Sequence, residues 1–85
     1  MADTITFTLT NNQMTDVNVS VWDDLTTQQV ITSVFVLQGN GINIQVAADS
    51  WGKGAAHWVF WSGDGSVNSN KQQTNISDGD QCTLG

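Results

Sequence analysis

Proline, tyrosine, arginine and glutamate are all missing from this 85-residue chain, and only Lys53 and Lys71 are basic. With a net charge of -6 and no cluster of cations, the chain repels a phosphate backbone, which argues against nucleic acid as a partner. Every one of the eight acids is an aspartate. Aspartate bonds to nearby backbone and favours turns, whereas glutamate suits helix interiors, so the bias points to loops joining strands. The single cysteine, Cys82, cannot close an internal disulfide. No stretch approaches the roughly 20 apolar residues needed to span a bilayer. The opening MADTITFTLT lacks a basic n-region and an apolar h-region, so it does not read as a signal peptide. The expectation is a cytoplasmic or non-classically secreted protein that does not span a membrane.

At this length one domain, residues 1–85, is expected, and it buries only about 60–65% of the surface its unfolded chain exposes. Without a disulfide, stability has to come from packing or from association, so a homo-oligomer is expected.

Hydrophobic periodicity is two. Ile5, Phe7 and Leu9 alternate with Thr4, Thr6, Thr8 and Thr10, describing a strand with one buried and one wet face. Val17, Val19 and Val21 alternate with Asn18, Ser20 and Trp22, which puts a tryptophan on the wet side, and Asp23-Asp24 closes that strand. From Val30 to Leu37 apolar residues occupy both parities, as in a central strand covered on both faces or one at a subunit contact. Gln38-Gly39-Asn40-Gly41 then suggests a tight turn into Ile42, Ile44 and Val46, hence a hairpin. Residues 55–61 read as a fifth strand turning at Gly63-Asp64-Gly65, and 67–84 as weaker edge strands around Ser77-Asp78-Gly79-Asp80. No helical stripe is present. The reading is all-β: a small antiparallel β-sandwich in a single domain.

Motifs for chemistry are sparse. SGDGSVNSN has the Asp-Gly-Ser core of a calcium loop, but that register requires acids where Phe60 and Lys71 stand. Calcium held jointly by turn aspartates (Asp23, Asp24, Asp49, Asp64, Asp78, Asp80) is left as the only metal alternative, and no cofactor is implied. His57 with Cys82 or Ser50 lies in no nucleophile motif, so a non-enzymatic protein is expected. Asn18-Val-Ser20 and Asn75-Ile-Ser77 fit the glycosylation triplet by chance composition.

The tryptophans carry more information. Trp22, Trp51, Trp58 and Trp61 cannot all fit so small a core beside the aliphatic residues already assigned to it. In the fifth strand Trp58 and Phe60 share one face, and His57, Val59 and Trp61 the other. With Trp58 and Phe60 in the core, His57 and Trp61 face outward, near Trp22 and Trp51. Exposed indoles suit sugars, whose apolar C–H faces stack on the ring while amides and carboxylates take the hydroxyls. Eight Asn, eight Gln and eight Asp supply those groups. The expected site is an aromatic platform of Trp22, Trp51, His57 and Trp61 flanked by Asp49, Asp64, Asn68 and Asn70, binding glycans or glycoconjugates in a lectin-like manner. Two alternatives use the same rings. Trp at a loop tip also seeks the bilayer interface, which would make a membrane-lipid module, although the negative charge opposes anionic lipid. Exposed aromatics can equally bury against further copies in a structural or adhesion subunit. The strand order and the segment VAADSWGKGAAHWVFW resemble, over roughly residues 5–61, the first half of the aegerolysins. Those are longer, acidic β-sandwich proteins, and the resemblance implies binding to membrane lipids.

Overall fold

In the first strand, Ile5, Phe7 and Leu9 are buried, and the threonines between them are exposed or half-buried, as the period of two requires. The same rule builds the rest of the computed structural model, which describes residues 3–85; Met1 and Ala2 of the opening stretch lie outside the described residues. Seven strands follow one another: β1 (Thr4–Thr10), β2 (Val17–Asp23), β3 (Gln28–Val36), β4 (Gly41–Ala47), β5 (Gly54–Trp61), β6 (Asn68–Ile76) and β7 (Gln81–Thr83). They form a three-stranded sheet ordered β4-β1-β7 and a four-stranded sheet ordered β3-β2-β5-β6. The protein is therefore an all-β sandwich. All neighbours are antiparallel except β1 and β7, which run parallel.

Register converts alternation into a core. β1 and β4 place Ile5 against Val46 and Phe7 against Ile44, while β2 and β5 place Val19 against Phe60 and Val21 against Trp58. These inner faces meet between the sheets with Val17, Val36, Ala56, Ile76 and Leu84. Each fully buried aliphatic or Phe side chain contributes about 1.5–3 kcal/mol. The Trp58 ring packs against Phe7 at a centroid separation of 6.3 Å, and its indole N–H donates to the Leu84 carbonyl at 2.9 Å. That hydrogen bond lets the largest ring enter the core with its polar atom satisfied.

Two expectations are corrected by the topology. The stretch from Val30 to Leu37 is not a central strand: β3 is an edge of the four-stranded sheet, and Phe35 and Leu37 are exposed. Nor do β3 and β4 form a hairpin. The turn at residues 37–40 carries the chain from one sheet to the other, because Asn11 holds it from the β1 side. The Asn11 backbone N–H donates to the Asn40 carbonyl, Gly39 N–H donates to the Asn11 carbonyl, and Asn11 Nδ2 donates to the carbonyls of Val36 and Thr15. Gly39 makes this turn at a φ of +82°, which suits a residue without a Cβ. One-sided β4 then finds its apolar complement on β1. β6 likewise crosses to the other sheet through the turn at 77–80, so that β7 pairs with β1.

Candidate aromatic and amide face

The outer face of the four-stranded sheet is fixed by the residues left over from the core. Across it run three cross-strand rows: Asn18, Trp61 and Asn68; Ser20, Val59 and Asn70; and Trp22, His57 and Gln72. β3 extends the first row with Phe35 and the third with Gln29. Three rings of the expected platform thus share one face with both expected asparagines. From His57 to Trp61 the face extends roughly 14 Å along β5, and β2, β5 and β6 give it about 10 Å of width. It is an open surface: no cavity is found among the described residues.

At one end of this face Trp22 and His57 stack, with ring centroids 5.1 Å apart and planes 1° from parallel. Opposite register positions on β2 and β5 bring them together. Stacking uses one face of each ring, so the pair is a two-ring block rather than two free platforms. Asp24, just beyond β2, locks the block: its Oδ1 lies 2.5 Å from His57 Nδ1, and its Oδ2 accepts from Gln72 Nε2 at 3.1 Å. A carboxylate only accepts, so the proton sits on Nδ1, and Nε2 of the neutral ring becomes an acceptor for an incoming hydroxyl. Protonation of His57 turns the same contact into an ion pair. Trp61, at the other end, stands between Asn18 and Asn68 and is half-buried.

The remaining expected residues lie off this face. Asp64 organises the β5–β6 turn beyond Trp61. Its Oδ1 accepts from Ser66 N–H at 2.9 Å and from the hydroxyls of Ser62 and Ser66 at 2.7 Å each. The Ser66 backbone N–H, then these two hydroxyls, hold its carboxyl down at a pKa of about 2. Asp49 and Trp51 occupy the β4–β5 loop at the opposite end of the sandwich. Asp49 Oδ1 accepts from the N–H groups of Trp51 and Lys53, both at 2.9 Å, and so folds the loop under a Trp51 ring that is 82% exposed. Lys53 Nζ donates to Ser77 Oγ and ties this loop to the end of β6.

Most other aspartates are spent on turns too. Asp16, Asp23, Asp78 and Asp80 each accept from backbone N–H groups: of Gln38, of Leu25 and Ala47, of Thr6, and of Ser77. Cys82 lies on β7 of the three-stranded sheet, across the sandwich from His57. Burial first, and then the neighbouring Asp80 charge, push its thiol up against a smaller opposing pull from Lys71.

Asp24, Gln72, Asn18, Gln29 and Phe35 are the residues of the face that sequence reading did not select. Gln72 was within reach: a hairpin centred on Asp64-Gly65 pairs residue 57 with residue 72, as observed. Asp24 was not, because its approach to His57 depends on the β2–β5 register between strands more than thirty residues apart. No family model, curated protein or solved structure matches the chain, so the resemblance noted above stands on its residue pattern alone.

Proposed function

We propose that the outer face of β2, β5 and β6 binds glycans without catalysing a reaction on them. The supporting observation is the register that sets Trp61 and the Trp22–His57 block in the same three rows as Asn18, Asn68, Asn70 and Gln72. Rings to stack on sugar C–H faces therefore alternate with neutral donors and acceptors for hydroxyls. The one carboxylate of the face, Asp24, is already shared by His57 and Gln72, so charge plays little part in the recognition. An open face gives weak single-site binding, which serves a protein that reads clustered sugars.

A glycan array followed by titration tests this. Trp61→Ala weakens binding by roughly two- to tenfold, the equivalent of a lost stacking contact, while the far-UV spectrum is unchanged. Binding unaffected by both Trp61→Ala and Trp22→Ala refutes the proposal.

A second reading rests on Trp51. This ring and Leu25, 46% exposed in the β2–β3 turn, sit at the same end of the sandwich, where Asp23 bonds to both Leu25 N–H and Ala47 N–H. Two apolar tips on adjacent loops suit insertion into the interface of an uncharged lipid surface. Phosphatidylcholine vesicles distinguish the readings: lipid binding is lost in Trp51→Ala and retained in Trp61→Ala, and sugar binding shows the reverse.

A further inference from the structure

β3 is the less protected edge of the four-stranded sheet. Among the described residues its outer flank has no neighbouring strand, and its sequence, QQVITSVFV, contains no charge and no proline, the devices by which edges are ordinarily kept from pairing. β6, the other edge of the same sheet, reads NSNKQQTNI, with Lys71 and a single apolar residue. Apolar surface is uncovered on both sides of β3. Phe35 is 59% exposed on the outer face, whereas Ile31 and Val34 turn inward and pack against the core yet remain half-buried. Apolar side chains are therefore left uncovered on both faces of one strand.

We propose that β3 pairs antiparallel, edge to edge, with β3 of a second copy of this chain, joining two four-stranded sheets into one of eight. Charge locates the contact between copies: a net charge of -6 makes two copies repel in general, and β3, which carries no carboxylate, is where that repulsion is weakest, whereas a basic partner is drawn to the aspartate-bearing turns instead. Shape agrees: a second sandwich edge continues both layers at once, covering Ile31 and Val34 on the inside and Phe35 on the outside. The contact is isologous and closes at two copies. β3 holds two residues more than β2 over their paired length, with Ser33 at a φ of 50°, so its regular end, Val34–Val36, is where the two-fold axis belongs. That axis stands perpendicular to the joined sheet, so both outer faces look the same way; on the glycan reading, the dimer presents two sites to one surface.

Sedimentation equilibrium of the whole chain is the test. The expected mass rises with concentration from 9.2 kDa to twice that value, and amides of Val34–Val36 gain hydrogen-exchange protection over the same range. Phe35→Lys, at an exposed position that keeps the fold, weakens association by more than tenfold. Gln73→Lys on the β6 edge leaves it unchanged. A mass of 9.2 kDa at millimolar concentration overturns the proposal, as does a dimer indifferent to Phe35→Lys. Burial of β3 only against added vesicles or peptides, with the chain itself monomeric, overturns it equally. Mass is read without sugar, so failure of glycan binding and failure of pairing are separate results.

Discussion

A single carboxylate can organise a whole turn, and Asp64 is the clearest case. Its Oδ1 gathers one backbone N–H and two hydroxyls, and the Ser62 hydroxyl in turn accepts from Val67 N–H, so the β5–β6 turn closes on itself. The sign of its pH dependence follows. Unfolded, the group takes a proton near 3.8; folded, it holds out to about 2. Its stabilising contribution is complete above pH 3.8 and is lost as the pH falls through about 2. Asp64→Ala should lower stability at pH 7 and flatten the acid limb of a urea-midpoint profile between those values; an unaltered acid limb would show the turn to be dispensable. Asn68 and Asn70, a few residues on, face solvent beside Trp61 instead, and for them side-chain loss should alter ligand binding and not stability.

Strands were readable from the sequence wherever one face is buried, because alternation then encodes the face directly. β1, β4 and β5 obey it and β2 departs only at buried Ser20; parity grouped Trp58 with Phe60 and His57 with Trp61, and the structure turns the first pair inward. The pairing of strands did not follow. Which sheet receives β4 depends on the Asn11 contacts to Val36, Gly39 and Asn40, a long-range polar clamp with no periodic signature. β3 misled for a related reason: apolar residues on both parities signal cover on both faces but do not say whether the cover is a strand of the same chain. Gly54, at the start of β5, shows how tightly the two sheets meet. A Cβ there would lie 2.8 Å from both Ile5 Cδ1 and Val46 Cγ2, two residues already buried in the core. Gly54→Ala should therefore cost about 1–3 kcal/mol through overpacking, measured as a lower denaturation midpoint with an unchanged m-value. An alanine accepted without cost would mean the β1–β4 hydrophobes have room that the packing does not show.

For the whole molecule, the question is how so short a chain closes two sheets around one core. Part of the answer lies at Leu84 and Gly85, which join elements from both layers. Leu84 is buried; its N–H donates to the Thr10 carbonyl in the three-stranded sheet, and its carbonyl accepts from the Trp58 indole in the four-stranded sheet. Gly85 N–H donates to Asn12 Oδ1, and Asn12 Nδ2 donates back to the Gly85 carbonyl at 2.9 Å, which fastens the segment across the end of the sandwich. Truncating such a plug removes apolar burial and loosens the partner of a buried indole together. Leu84→Ala should destabilise the fold by about 2–5 kcal/mol. In a domain of this size that lowers the melting temperature by about 8 °C or more. The mechanism has its own optical signature. Trp58 is sealed in the native core, so it should be the bluest emitter and the slowest to be quenched by acrylamide of the four tryptophans. In Leu84→Ala that protected component should become quenchable below the melting transition, while Trp51, already exposed on its loop, is unaffected. If Trp58 stays protected until global unfolding, Leu84 merely covers the end of the sandwich, and the two layers are held together by the β1, β2 and β5 side chains alone.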